Sequence, residues 1–361
     1  LQKLEMNLKI CKKGSNLIMN KWYEKAGECC DIAISTRIRF ARNISKYPFP
    51  CRLNDNMKNA VINDIKSVLA DDDFKNYNFN CLETSDINAI SMKSLVECHL
   101  VSPEFIAPGK FKAVFLSDAN DISIMVNEED HIRLQTMKEG LALEDTYQLA
   151  DEIDTKLDKS LKFAFSEQLG YLTQCPTNLG TGMRASVMLH LPALRKCGMI
   201  EKISSSLIKL GLTIRGLYGE GSEPKGDIYQ ISNQVTLGIS EKTALKNLND
   251  ITLQIINQER NCRKELAKNI QVIDSISRSV GILKTAKLLN NDEFMKLISN
   301  ARLGLSIGLI KGVSYDVLNE IVVKSQPFTL MQNSNCELSA LQRDQKRAEL
   351  INEKFGKIEI L

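Results

Sequence analysis

The sequence predicts an α+β fold, an antiparallel sheet followed by a helical tail. Three observations carry this. Phe111 to Leu116 and Ile122 to Val126 are apolar runs rich in β-formers, separated by the polar Ser117-Asp118-Ala119-Asn120-Asp121, which is a hairpin pattern. A further strand pattern follows over residues 131–138, so neighbouring strands alternate in direction instead of crossing over helices. After about Ser240 the strand signal stops, and residues 241–268, 274–289, 291–309, 314–325 and 338–355 all read as helices, punctuated by Asn290-Asn291-Asp292 and Ser325-Gln326-Pro327. The change of character places a boundary near 265–272. It divides the 361 residues into an extension (1–30), a sheet-bearing domain (31–265) and a helical domain (266–361).

Residues 31–34 read as a short strand that leads into Ser35-Thr36-Arg37-Ile38-Arg39-Phe40-Ala41-Arg42-Asn43. On extended backbone Arg37 and Arg39 share one face, while Ile38 and Phe40 share the other. Two guanidinium forks on one face suit a polyphosphate, and they also suit a solvated strand. Tyr47-Pro48-Phe49-Pro50 is a rigid turn. Met57, Val61, Ile62, Ile65, Val68 and Leu69 form one helical stripe over 55–70, with Asn54 or Asp55 as cap. A second helix covers 86–97. His99 follows it, as a structural residue or as a flat ring to stack on a base.

Glu128, Glu129 and Asp130 are three consecutive acids at the end of the Ile122–Val126 run, within Asn127-Glu128-Glu129-Asp130-His131-Ile132-Arg133. A solvated turn tolerates such a run. The rest of the chain, however, supplies arginines, glycines and a cysteine that complement a carboxylate cluster. From Leu143 to Phe165 the pattern is a packing helix with acids early and lysines late, as the helix dipole favours.

Cys175-Pro176-Thr177-Asn178-Leu179-Gly180-Thr181-Gly182 is a shaped loop whose backbone amides can cradle an anion. Arg184 then opens an apolar strand over Val187 to Leu191. Cys175 is either an inert loop cysteine or a thiol activated by a neighbouring guanidinium. Ala193 to Gly211 reads as one helix. Arg215 to Gly226 holds four glycines among its twelve residues, a lid-like pattern without the spacing of a Walker loop. Asp227 to Ile231 and Val235 to Gly238 resume the sheet. In the tail, Arg343 and Arg347 of Arg343-Asp344-Gln345-Lys346-Arg347-Ala348 stand at i and i+4, a solvated helix face or a binding pair.

The formal net charge of +3 with no dominant basic stripe argues against nucleic acid as a partner. The ten cysteines form no C-x-x-C pair and the chain has three histidines, which disfavours a zinc site. No secretory or membrane-spanning pattern is visible, so the expectation is a cytoplasmic protein with reduced thiols and no membrane association.

Taken together, Ser35-Thr36-Arg37-Ile38-Arg39, Asn127-Glu128-Glu129-Asp130-His131, Cys175-Pro176-Thr177-Asn178-Leu179-Gly180-Thr181-Gly182 and Arg215-Gly216 resemble the phosphagen (guanidino) kinase family. The likeness spans about residues 31–265. It is strongest to the bacterial members that phosphorylate arginine in proteins, on the Gly216-to-Gly238 string and the R-D-x-x-R-A motif of the tail. The 34 residues ahead of Ser35 are also too few for the helical domain that precedes this sheet in creatine and arginine kinases. The resemblance implies a curved antiparallel catalytic sheet flanked by helices, and a kinase using ATP and Mg2+.

It implies residue roles as well. Glu129 and Glu220 would grip and deprotonate the guanidinium, Cys175 would lie against it, and Glu128 would place magnesium through water. ATP would lie on Ser35, Thr36, Arg37, Ile38 and Arg39, on His99, Arg133, Arg184, Ala185, Ser186, Val187 and Met188, and on Arg215, Gly216, Leu217, Tyr218, Gly219 and Glu220. Arg343, Asp344, Arg347 and Ala348 would bind phosphoarginine as a regulatory site. The implied partners are proteins with exposed arginine, among them a transcriptional repressor of stress genes, a zinc-finger activator protein and a Clp ATPase/protease. A homodimer or higher oligomer is implied too. The alternatives are a kinase of a free guanidino metabolite and a catalytically silent scaffold.

Overall fold

The ten-residue strand β1 (Ala33–Arg42) is the centre on which the rest is hung. The computed structural model describes residues 21–216 and 224–361. With β1, strands β2 (Asn80–Glu83), β3 (Ala113–Leu116), β4 (Ile122–Val126), β5 (Ile132–Glu139), β6 (Met183–His190), β7 (Leu212–Gly216) and β8 (Ile228–Asn233) form an eight-stranded sheet in the order β2-β3-β4-β5-β1-β6-β8-β7. Every pairing in it is antiparallel.

Strand alternation sorts side chains onto two faces. One face carries Ile38, Phe40, Ile124, Leu134, Val187 and Ile231 into a core with helices α1 (Asp55–Leu69), α3 (Leu143–Leu161) and α6 (Glu241–Leu266). Asn54 caps α1, its side chain accepting from Met57 N–H. The opposite face is apolar at one end, where Ile34, Met137, Met188 and Ile228 join a second core built with α7 (Ile270–Thr285) and α8 (Asn291–Ser306). Its middle is polar and open. The helix α2 (Ala89–Glu97) walls that opening, and its Met92 and Leu95 join the second core.

The hairpin and the strand after it form as the alternation predicts. Two expectations fail for local reasons. The helix expected over 193–211 is two, α4 (Pro192–Lys196) and α5 (Ile200–Lys209), because Gly198 adopts a left-handed turn with φ of 65°. Val235 to Gly238 is not a strand. There the Thr236 hydroxyl donates to the carbonyls of Thr177 and Leu179, which bends the chain over the Cys175 loop. The strand β7 also takes in Arg215 and Gly216, which the glycine-rich pattern places in a loop.

In the tail, α6 ends at Leu266 and α7 begins at Ile270. After α8 come α9 (Tyr315–Lys324), α10 (Pro327–Ser334) and α11 (Ala340–Phe355). The helix α10 was missed because Pro327 reads as punctuation, yet proline suits the first helical position. A two-residue ribbon pairs Ile310–Lys311 with Glu359–Ile360, a small departure from the all-helical tail expected. Among the described residues no helix is long and apolar enough to cross a membrane.

Candidate active site

Alternation along β1, β5 and β6 puts Arg37, Arg39, Arg133 and Arg184 on the open face. Arg39 pairs with Arg184 on one side and Gln135 on the other, and Arg133 pairs with Ala41. On the edge strand β7, Arg215 stands opposite Gln230, whose Oε1 accepts from Arg37 Nη2 at 2.9 Å. These five arginines line a cleft of about 510 Å3 together with His99, Glu128, Glu129 and Gln135. Burial and then Arg133 lower the Arg37 guanidinium to about 10. Burial, followed by Arg37, Arg133 and Arg184, pushes Arg39 well below its ordinary value. So much positive charge in one partly dry cleft is unfavourable until an anion enters.

The acid run closes one end of the cleft. Asn127 takes a left-handed φ of 58° while its amide donates to the carbonyls of Lys58 and Phe111, which turns the chain off β4. The Glu128 side chain is 3% exposed and accepts Arg133 Nη1 through both oxygens at 2.7 Å. The Ser102 hydroxyl adds a third bond at 2.6 Å. Glu129 is the reachable acid. Its side chain is 36% exposed, with Arg133 Nη2 at 3.5 Å and Asn178 Nδ2 at 3.4 Å.

Asp130 and His131, which had no role of their own in the sequence, hold this corner together. Asp130 Oδ1 accepts Asn43 Nδ2 at 2.6 Å and the backbone N–H of Gln174 at 2.8 Å, so it ties the end of β1 to the residue before Cys175. Burial pushes its carboxyl up. The His131 Nδ1 accepts from Ile44 N–H at 3.0 Å, which leaves Nε2–H to donate to the Pro48 carbonyl at 2.9 Å. Burial lowers that imidazole to about 4.

Cys175 precedes a short turn, Pro176–Asn178, with its Sγ 3.1 Å from the Thr177 hydroxyl. The loop requires its glycines. Gly180 has a φ of 105°, and a Cβ there would meet the Thr236 carbonyl oxygen at 2.3 Å. The Arg42 guanidinium supports the same loop from beneath. It grips Asp154 of α3 through Nε and Nη2, donates to the Thr181 carbonyl, and lies 3.5 Å from the Tyr171 ring centroid.

The structure thus brings Arg37, Arg39, His99, Glu128, Glu129, Arg133, Arg184 and Arg215 to one cleft, with Cys175 one residue beyond its wall residue Gln174. Other predicted residues lie elsewhere. Ile38, Ala185 and Val187 point into the core under the sheet. Thr36 Oγ1 donates to the Gly140 carbonyl and accepts from Ala142 N–H. Ser35 and Ser186 are buried, and Met188 packs toward the helical tail. Gly216 ends β7, while Leu217, Tyr218, Gly219 and Glu220 lie outside the described residues.

In the tail, Arg347 is not on a solvated face. It is 1% exposed and donates to the carbonyls of Ser325 and Leu289 and to Asp344. Arg343 donates to the Leu338 carbonyl, and Ala348 is buried in the second core. Sequence reasoning passed over Gln135 and Gln230, although Gln135 lies two residues from Arg133 on a predicted strand and so had to share its face. Ser102 and Asn178 gave no such signal.

The sequence pattern of the ATP:guanido phosphotransferase C-terminal catalytic domain matches residues 60–262. The chain belongs to the ATP:guanido phosphotransferase family. Within this family, the pattern of the protein-arginine kinase McsB C-terminal domain matches residues 269–360. The protein-arginine kinase of Clostridium acetobutylicum is 44% identical over 337 residues, covering 93% of this chain and 99% of that protein. That of Halothermothrix orenii is 44% identical over 344 residues, covering 94% and 98%. Among solved structures, lombricine kinase is 25% identical with a TM-score of 0.57, over 66% of this chain and 69% of that one. Family membership fits the arginine-lined sheet face and makes the protein a phosphotransferase.

Proposed function

We propose that the protein transfers the γ-phosphoryl group of ATP, with Mg2+, to arginine side chains of other proteins. The observation that carries this is the position of Glu129. It is the exposed acid at the junction of the arginine-lined face and the Cys175 loop, so one cleft holds a polyanion site beside a cation site.

The polyphosphate fits the cleft because Arg39 Nε is buried without a hydrogen-bond partner and five guanidinium groups converge there. Arg37, Arg39, Arg133, Arg184 and Arg215 hold the phosphates and neutralise charge as it shifts onto the leaving oxygen. Glu128 would hold magnesium through water, and the ion would supply further charge neutralisation when bound. The acceptor is a poor nucleophile because its lone pairs are delocalised and its pKa exceeds about 12. Glu129 fixes the planar cation and takes its proton as the N–P bond forms and the bond from phosphorus to the ADP oxygen breaks. Such general-base help is worth about 10²–10⁴-fold. Glu220 is the second acid of this reading, and Cys175 orients the cation without forming a bond to phosphorus.

The match of residues 269–360 favours a protein acceptor over a free guanidino metabolite. With it come the finer elements of the reading, which are marking of proteins for a Clp protease, relief of stress-gene repression, a zinc-finger activator, a homodimer and a cytoplasmic location. Purified protein with Mg-ATP and an arginine-rich protein substrate should give acid-labile phosphate on arginine. Phosphate on free arginine or creatine alone would favour the metabolite kinase.

A further inference from the structure

Glu97 ends α2, between the cleft-lining residues Val96 and His99, yet its carboxylate serves the helical tail. It accepts from Phe328 N–H at 3.1 and 3.0 Å, from Thr329 N–H at 2.7 Å and from the Thr329 hydroxyl at 2.9 Å. A helix start leaves backbone N–H groups without intrahelical partners, and a side-chain oxygen of its own cap residue normally meets them. The helix α10 has no such cap, since Gln326 makes no capping bond. Glu97 fills that place from the catalytic domain, where the positive end of the helix favours its charge. The contact continues along both helices. Ser91 donates to Gln332 Oε1 at 2.6 Å, Ser94 to the Thr329 hydroxyl at 3.2 Å, and Lys93 Nζ lies 4.6 Å from the Phe328 ring centroid.

The residues after Glu97 form the cleft wall. His99 holds a left-handed φ of 60°, which a non-glycine residue adopts only when its surroundings impose it. Its carbonyl accepts Gln135 Nε2 at 2.7 Å, beside Arg39. The Leu100 carbonyl accepts the Ser123 hydroxyl at 2.6 Å, and Ser102 holds Glu128. One segment of six residues, Glu97 to Ser102, therefore runs from the tail helix to the buried acid of the active site. At the other side of the same helix start, Arg347 Nε donates to the Ser325 carbonyl at 2.9 Å.

We infer that Glu97 is a positioning residue for nucleotide binding. By capping α10 it anchors segment 97–102, and the helical tail thereby sets the placement of His99 and Glu128 in the cleft. This rests on reading the cleft as the nucleotide site.

The test removes the bond from either side. In the full-length protein, Glu97→Ala should weaken Mg-ATP binding, measured by calorimetry, about tenfold, and Thr329→Val should weaken it several-fold. Glu97→Gln, which keeps an acceptor oxygen, should recover part of the loss. The double variant Glu97→Ala/Thr329→Val should bind no worse than Glu97→Ala alone, because both remove one interaction. Turnover at saturating nucleotide should stay within about twofold of wild type, since the chemistry at Glu129 is untouched. Wild-type affinity in Thr329→Val and Glu97→Gln, or a fall in turnover with unchanged affinity, overturns the role of Glu97 even if Glu97→Ala fails to fold. No Mg-ATP binding by the wild type overturns this inference and the proposed function together.

Discussion

Arg39 and Arg184 stand directly opposite each other across the β1–β6 ladder. Like charges in that position repel. Burial and the neighbouring Arg37, Arg133 and Arg184 hold the Arg39 guanidinium well below its ordinary value. A fold that keeps this pair holds a site whose repulsion is relieved by an anion.

Arg39→Met should therefore leave the ligand-free protein as stable as wild type, or about 1 kcal/mol more stable. In wild type, Mg-ATP at 100 to 1,000 times its dissociation constant should add about 3–4 kcal/mol, and in the variant that gain should vanish. Thermal unfolding with and without nucleotide measures both. An equal nucleotide shift in the two proteins would remove Arg39 from the phosphate site.

Asp130→Ala leaves the Asn43 amide and the Gln174 N–H buried without their shared acceptor. The cost should be about 2–3 kcal/mol in urea unfolding. Since the lost bond ties down the Cys175 loop, the KM for the guanidino substrate should rise several-fold while that for ATP moves little. A larger change in the KM for ATP would place the loop's influence on the wrong substrate.

Acid should unfold the protein through its histidines. His99, His131 and His190 are lowered chiefly by burial, His99 to about 3, His131 to about 4, and His190 well below its ordinary value. Each is neutral when folded and takes up a proton on unfolding once the pH falls below about 6.5. Stability present at neutral pH is thus lost as pH falls from about 6.5 toward 4, by up to about 1.4 kcal/mol per pH unit for each histidine. Glu97, Asp130, Asp154 and Glu241, all pushed up by burial, bind protons in the folded state and oppose this at the acid end. Urea unfolding at a series of pH values should show His131→Gln flattening the slope between pH 5.5 and 6.5 by about a third. An unchanged slope would mean that His131 titrates normally.

The two arginines of the tail motif should behave differently. Arg347→Ala strands two buried carbonyls and should cost about 3 kcal/mol or more. Arg343→Ala, which loses one bond to the Leu338 carbonyl, should cost about 1 kcal/mol or less. Denaturant midpoints decide it, and equal losses would contradict the burial seen here. Arg343→Ala is accordingly the variant with which to test a regulatory role.

What the sequence made legible follows from periodicity. The two-residue repeat placed Arg37 and Arg39 on one face, and the hairpin before the acid run fixed where Glu128 and Glu129 emerge. The apolar stripe predicted α1 with Asn54 or Asp55 as its cap, and Asn54 takes that place. What stayed hidden depends on contacts distant in sequence. Nothing local tells Glu128, buried against Arg133 and Ser102, from Glu129, which remains reachable. Asp130 gains its role only when Asn43 and Gln174 arrive from 87 and 44 residues away. Arg347 read as a solvated charge or one of a binding pair, and its burial stayed hidden because its carbonyl partners come from two other tail segments. Pro327 hid α10, whose cap is Glu97 at the end of α2.

Phosphoarginine detection tests the central claim most directly. Wild type and Glu129→Gln are each incubated with Mg-ATP and an arginine-rich protein, and the protein is mapped for acid-labile phosphate by mass spectrometry under non-acidic conditions. The account predicts phosphoarginine with wild type and a loss of about 10²–10⁴-fold in turnover with Glu129→Gln, with nucleotide affinity kept. Equal phosphorylation by the two proteins, or phosphate on free guanidino compounds and none on protein, would contradict it.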